Sequence, residues 1–395
     1  MASQARDADP VNVLPSRNVQ RVLLVVSSVL FVLFCFELPA LIGALDYRTI
    51  IGPYHMWWAP NITDPELLAI HRPHAHQTGS ALGGDIAPSY QVPQSDLTQF
   101  QWDVTYDRNG FRNQHDLERA DVAVIGDSFV EGLTVTDAEL ATSQLARLQG
   151  VVVANLGQST YGPLQELIVL KRYALPLHPH TVVWMFFEGN DLQDVIGYQH
   201  IVQHPPDFLH AFWARSFTRS ASLAVKRLFE PPVKPPGTKR AGLCQAPDGE
   251  QLDTYFGYRA KPLTQEDLRA LDETAHTLAT AYQLCAAQEA RLIFVFVPTK
   301  FRVMHDLCQF SDNSECRNWV LPDMPERLQS ALHSISPSIG YLDLTPYLVE
   351  AAKAGELPYY RDDEHWTPEG HKVAAEAISR YLQSAQEISG RDHVQ

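Results

Sequence analysis

Five short apolar runs rich in β-branched and aromatic residues lie at 122–125, 151–154, 182–187, 292–297 and, more weakly, 339–342. Amphipathic stretches at 164–173, 265–287, 324–334 and 368–383 are interleaved with them or follow the last. A strand that is apolar on both sides has to be covered on both sides, and strands separated by helices pair in parallel. The pattern therefore predicts an α/β fold, a three-layer sandwich with a mainly parallel sheet. In such a sheet, ligands sit beyond the carboxyl ends of the strands.

Ahead of this pattern lies a segment of different character. Residues 22–45, VLLVVSSVLFVLFCFELPALIGAL, form a run of 24 with a single charge, Glu37. A bilayer core needs about 20 such residues. Arg6, Arg17 and Arg21 precede the run, and Arg48 is the only Lys or Arg in the 20 residues after it. The positive-inside rule then assigns 1–21 to a cytoplasmic tail, 22–45 to a signal-anchor helix and everything beyond to the far side of the membrane. A cleaved signal peptide fits less well, because the run is long and no A-x-A site follows.

The cysteines agree with export. Cys35 lies in the span, leaving Cys244, Cys285, Cys308 and Cys316 beyond it. Four thiols in an oxidising compartment can form two bridges. Cys308 and Cys316 flank a short polar loop and are the first pair expected, against the alternative of four unrelated buried thiols. No C-x-x-C occurs, which disfavours a structural zinc.

Composition excludes other classes. A formal charge of −15 argues against nucleic acid as a partner, since phosphate contacts need clustered Lys and Arg. There is no Gly-rich phosphate loop and no internal repeat, so no cofactor is expected. Residues 46–115, rich in Pro, His, Gln and aromatics, read as a partly ordered lead-in to a domain at 116–385, with a short tail at 386–395. Residues 198–262 interrupt the alternation with FEPPVKPPG, where prolines prevent a continuous helix or central strand. They read as an insertion, either a lid or a surface excursion with no role in chemistry.

Each main strand ends in small polar residues. The first gives Gly126-Asp127-Ser128, the second NLGQSTYG at 155–162, the third EGND at 188–191, and YYRDDEHWTPEGH at 359–371 follows the fifth. A serine nucleophile needs a base within hydrogen-bond reach and an acid to orient that base. Ser128 and His365 fill the first two roles, with Asp363 or Asp362 as the third. Donors for a tetrahedral oxyanion would be the Ser128 and Gly157 backbone N–H groups and the Asn190 side-chain amide. Gly157 suits a close approach because it has no Cβ. Thr367 and Pro368 read as N-cap and first residue of the last helix.

Other polar residues have plainer readings. HRPHAH at 71–76 looks like a metal tract, but its proline and lack of carboxylate partners favour a loop, and no metal is expected. Asp127 and Asp191 are expected to brace their turns. His178 and His180 read as turn residues, and Trp184, Phe186 and Phe187 as core.

These ordered blocks resemble those of the SGNH/GDSL hydrolase superfamily over about residues 105–385. DRNGFRN and NLGQSTYGPLQEL are similar to its bacterial envelope branch, and DEHWTPEGH to the D-x-H-W ending of alginate O-acetyltransferase-like members. The resemblance implies a flavodoxin-like SGNH sandwich, Ser128 as nucleophile, Gly157 and Asn190 in the oxyanion hole, and Asp363 with His365 completing the triad. Many members place the acid three residues before the histidine, which here is Asp362; the D-x-H-W form points to Asp363. The G-x-S-x-G elbow of the α/β-hydrolases is absent.

The expectation is a single-pass inner-membrane enzyme with its catalytic domain in the periplasm or on the extracellular side. It would act through an acyl-enzyme on an acyl ester or an acetylated envelope glycan, passing acetyl to water or to a glycan hydroxyl. The alternatives are a lipolytic esterase and a non-catalytic glycan-binding protein on the same fold.

Overall fold

The computed structural model describes residues 16–51, 61–87, 92–205, 207–229, 240–245, 249 and 251–392. Most of the expected cytoplasmic tail (1–15), most of the Pro-rich stretch (230–239) and the last three residues of the C-terminal tail lie outside the described residues. The chain divides into two compact units, one within Met1–His55 and Pro206–Pro231, the other within Met56–Pro205 and Pro232–Gln395.

The first unit holds three main helices, Arg17–Leu41, Phe208–Arg215 and Phe217–Phe229. Arg17–Leu41 is the one helix among the described residues long and apolar enough to cross a membrane, and none of its apolar window is buried among the described residues.

The second unit is built on a five-stranded sheet of β1 (Val122–Gly126), β2 (Val153–Gly157), β3 (Thr181–Phe187), β4 (Arg291–Val297) and β5 (Gly340–Asp343). Their spatial order is β5-β4-β3-β1-β2, and every pairing is parallel. Alternate side chains enter opposite cores, as the two-residue period of a strand requires. Val122, Val124, Val183, Met185, Ile293 and Val295 pack with helices Ala141–Gln149, Thr345–Lys353 and Pro368–Asp392. Ala123, Ile125, Val182, Trp184, Phe294 and Phe296 pack on the other face with Pro163–Val169, Gln265–Ala286 and Met324–Ile335. The result is the three-layer sandwich that the alternation predicts. Strand order reverses at β1, between β2 and β3, so the crevice expected of a doubly wound sheet opens where β1 ends.

Several local readings need correction. The second strand lies two residues later than its Val-rich start suggests, running on through Asn155 and Leu156, both buried. Helices Ala141–Gln149, Asp191–Gln203 and Thr345–Lys353 were not expected. The lead-in is more ordered than its composition suggests, with hairpins Asn61–Asp64/Leu68–His71 and His76–Leu82/Gln99–Thr105. Strands of four to seven residues with mixed polar faces leave little periodicity to read.

The expected Cys308–Cys316 bridge is not formed. Strands Ala241–Gln245 and Cys308–Gln309 pair antiparallel with Cys244 opposite Cys308, and those two cysteines form the disulfide. Cys316 is buried in the core as a free thiol, and Cys285 is likewise buried and free. Closeness in sequence misled, because a strand from the insertion supplies the partner.

Candidate active site

Gly126 ends β1 without a Cβ because one would lie 2.6 Å from Val130 Cγ2 and 3.1 Å from the Met185 carbonyl oxygen. The chain then turns into a single helical turn, Ser128–Glu131, with Asp127 as its N-cap accepting from the Phe129 N–H at 2.9 Å. The Asp127 side chain therefore braces the turn. Burial pushes its carboxyl up to about 6, against the lowering effects of the Phe129 N–H and of His365.

His365 Nε2 lies 2.8 Å from Ser128 Oγ, and His365 Nδ1 lies 2.6 Å from Asp363 Oδ1. The same carboxylate oxygen accepts the His365 backbone N–H at 2.8 Å. Burial works against a charged imidazole here, but the charge and hydrogen bond of Asp363, helped by Asp85 and Asp127, outweigh it and push His365 up to about 10. Asp363 is correspondingly held below the usual carboxylate range: burial opposes its charge and His365 overcomes that opposition.

Asp362 points elsewhere. Its Oδ2 accepts from the Gly84 and Thr98 N–H groups at 3.0 and 2.9 Å, and its Oδ1 from Thr98 Oγ1 at 2.5 Å. It thus joins the histidine loop to the lead-in. The Asp85 N–H donates to Asp363 Oδ2 at 2.8 Å, the Glu364 N–H donates to Asp85 Oδ1 at 2.9 Å, and Asp85 Oδ2 stands 3.9 Å from His365 Nδ1. Burial and the neighbouring Asp363 push Asp85 up to about 7.

Asp85 was not singled out from the sequence, because nothing in GGD at 83–85 marks contact with a loop 278 residues away. Asp85, Asp363 and His365 bring ligand-type atoms within 4.8 Å of one another. Both Asp363 oxygens and His365 Nδ1 already hold hydrogen bonds within this group, so the three form a hydrogen-bonded acid–histidine set.

Gly157 is not at the cleft. Its N–H donates to Asn155 Oδ1 at 3.0 Å, and a Cβ there would lie 2.3 Å from the Glu131 nitrogen. The glycine allows close approach of the serine's own helical turn, not of a substrate. The cleft is met instead by Gln158, Ser159 and Thr160.

Thr160 has φ 72°, a left-handed conformation strained for a β-branched residue, as found where a loop is held for function. Among the described residues no backbone carbonyl accepts from the Ser128 or Thr160 N–H. Buried Glu131 fixes this loop, accepting from Ser159 N–H at 2.7 Å and Ser159 Oγ at 2.5 Å, while also bonded to His71 Nε2 at 2.7 Å and Tyr106 Oη at 2.9 Å. His71, the first residue of the supposed metal tract, is therefore an internal partner of Glu131, whereas His74 and His76 are exposed.

Asn190 does reach the cleft. Its Nδ2 donates to Asp194 Oδ2 at 2.8 Å, and Asp191 braces the turn by accepting from the Phe187 N–H at 2.9 Å. The cleft, about 680 Å³, brings together Ser128, His365, Thr160 and Asn190. Leu67, Leu68, Tyr161 and Ile201 supply apolar wall.

A hydroxyl, an imidazole and a carboxylate in line at the switch point of a parallel sheet form a set able to generate an alkoxide nucleophile. Residues 258–395, which carry Asp363 and His365, match the family model described as SGNH hydrolase-like domain, acetyltransferase AlgX. This part of the chain is similar to an SGNH hydrolase-like domain.

Solved structures similar to this chain include a putative lipolytic protein of the G-D-S-L family from Desulfitobacterium hafniense DCB-2, at 13% identity over 66% of this chain and 98% of that one, TM-score 0.35. A GDSL-like lipase from Bacteroides thetaiotaomicron VPI-5482 matches at 17% over 68% and 89%, TM-score 0.34. A catalytic mutant of an acetylxylan esterase from Geobacillus stearothermophilus matches at 12% over 68% and 95%, TM-score 0.36. No curated protein matches the chain.

Proposed function

We propose that this chain is an SGNH-type ester-bond enzyme that passes an acyl group, with acetyl favoured, through Ser128 to water or to a hydroxyl of an envelope glycan. The observation that carries the reading is the continuous line from Ser128 Oγ through His365 to Asp363 Oδ1, open to the cleft.

In the first step Ser128 Oγ attacks the ester carbonyl carbon as its proton passes to His365 Nε2 across the 2.8 Å contact. Asp363 keeps the other ring nitrogen protonated and offsets the imidazolium charge. The developing oxyanion is met by the free N–H groups of Ser128 and Thr160, with the Asn190 amide beside them. Collapse breaks the ester C–O bond, and the departing alcohol takes the proton from His365. Acyl-Ser128 remains. An incoming hydroxyl, from water or glycan, then gives its proton to His365 and attacks the acyl carbon, and a second collapse breaks the acyl C–Oγ bond as His365 returns the proton to Ser128 Oγ.

The match to an acetyltransferase-type domain supports acetyl. The apolar wall of Leu67, Leu68, Tyr161 and Ile201 supports a second reading, in which a longer acyl chain lies in the cleft. The apolar helix Arg17–Leu41 supports a membrane anchor, and the Cys244–Cys308 bridge supports an oxidising compartment such as the periplasm.

Full-length protein assayed on acetyl and long-chain esters, with and without an oligosaccharide, tests these readings together. Free acetate indicates hydrolysis, and glycan-bound acetate indicates transfer. Fluorophosphonate labelling of Ser128 that vanishes in Ser128→Ala is expected; labelling that persists at Ser159 would overturn the assignment.

A further inference from the structure

The only charge in the apolar run 22–45 is Glu37, near the C-terminal end of its helix. Glu37 is occupied: its Oε1 accepts from the Thr218 N–H at 2.6 Å and its Oε2 from the Phe217 N–H at 3.2 Å. Three more contacts fasten the same place. Arg215 Nε donates to the Ala40 carbonyl at 2.6 Å, the Tyr47 N–H donates to the Arg215 carbonyl at 3.1 Å, and Phe36 stacks on Phe217 at 4.7 Å between ring centroids. Helices Phe208–Arg215 and Phe217–Phe229 are thus bound to the last turns of the apolar helix, within one compact unit.

The helix pair exposes several large apolar side chains. Phe208, Leu209, Trp213, Val225, Leu228 and Phe229 are each more than half exposed. Ala221, Ala224, Val225 and Leu228 recur at helical spacing along the second helix, and Arg219 and Lys226 fall across from that stripe. Residues 208–229 contain four basic side chains and no acidic one, in a chain whose formal charge is −15. An amphipathic helix with a basic polar face, flanked by exposed aromatics, has the composition of one that lies in a lipid–water interface.

We propose that helices Phe208–Arg215 and Phe217–Phe229 lie in the bilayer interface beside the C-terminal end of the apolar helix, with anionic lipid headgroups as their partner. The proposal rests on the reading of Arg17–Leu41 as a membrane span. The position decides for lipid over protein: a helix pair clamped to the end of a spanning helix sits where acyl chains give way to headgroups. Exposed Trp213 and Phe229 then enter the acyl boundary, and basic residues reach phosphate. Residues 208–229 of the insertion then have a place at the membrane surface.

Spin labels on the full-length protein in vesicles of phosphatidylethanolamine and phosphatidylglycerol test this. A label on native Cys35 reports the span. Labels on Leu209→Cys and Leu228→Cys, each with Cys35→Ser, report the helix pair. The expected result is collision with oxygen and protection from a water-soluble nickel chelate at all three sites, deepest at 35. Labels at 209 and 228 open to the chelate, or shielded from both reagents as under a protein partner, overturn the inference while a lipid-buried label at 35 leaves the span intact. A water-exposed label at 35 sinks the span reading itself. In phosphatidylcholine vesicles the labels at 209 and 228 should become shallower, and unchanged depth removes the anionic headgroup from the proposal.

Discussion

Lys300 Nζ lies 2.9 Å from the main-chain carbonyl oxygen of Asp363, and the carbonyls of Tyr360 and Arg361 stand 3.1 and 3.2 Å away. A fully buried ammonium is costly, and burial pulls this one below the usual lysine range although Glu364, Asp85 and Asp363 oppose the shift. Three carbonyls from one loop, with Glu364 Oε1 at 4.0 Å, compensate the charge and in turn fix the loop that presents Asp363 and His365.

Lys300→Met should therefore leave three buried carbonyls short of a donor. The expected outcome is a drop in kcat of roughly a hundredfold, the scale of an approximately 1 Å misplacement, with KM much less affected. Steady-state kinetics beside a thermal melt separate the two effects. A melt lowered with kcat unchanged would make Lys300 merely structural.

The two neighbouring acids should fail in different ways. Asp363→Asn removes the acceptor that holds the His365 tautomer, and a loss of about 10⁴ in turnover is expected, as for other triad acids. Asp362 takes three hydrogen bonds from Gly84 and Thr98, and its carboxylate is turned to them and not to His365. Asp362→Asn should cost about 1–3 kcal/mol of stability and only a modest part of the turnover. The opposite ranking in paired melts and rate measurements would transfer the orienting role to Asp362.

The pH dependence follows from the raised His365. Only neutral imidazole can take the Ser128 proton, and Asp363 stabilises the imidazolium, so activity should rise with pH and inflect well above the ordinary histidine value of about 6.5. Asp363→Asn removes that stabilisation and should move the inflection down. The rate of fluorophosphonate labelling across pH 5–11 reads this directly. A plateau already reached near neutrality would contradict it.

The sheet was legible because strands buried on both faces must be apolar throughout, as β3 and β4 are. Ser128, His365 and Asp363 were legible because each follows such a strand or precedes a capped helix. The lead-in was not. Asp85 and Thr98 reach the site through hydrogen bonds to residues about 270 positions later, and no local periodicity records such a contact. Gly157 shows a subtler limit: the need for a glycine is visible in sequence, but not what approaches it.

Gly157→Ala separates those two meanings. Had substrate approached Gly157, a methyl group would obstruct binding, raise KM and leave stability unchanged. In the structure the new Cβ would stand 2.3 Å from the Glu131 nitrogen and 2.7 Å from the Val130 carbonyl carbon, both main-chain atoms that cannot swing aside. The turn Ser128–Glu131 or the end of β2 must then move. Overpacking of this kind costs about 1–3 kcal/mol, and each kcal/mol lowers Tm by roughly 2–4 °C in a domain of this size. Because Ser128 opens that turn, kcat should fall together with Tm. Thr160→Gly is the counterpart: it relieves a left-handed threonine and keeps the N–H, so labelling of Ser128 should survive. An unchanged melt with a raised KM in Gly157→Ala would return Gly157 to the substrate side of the site.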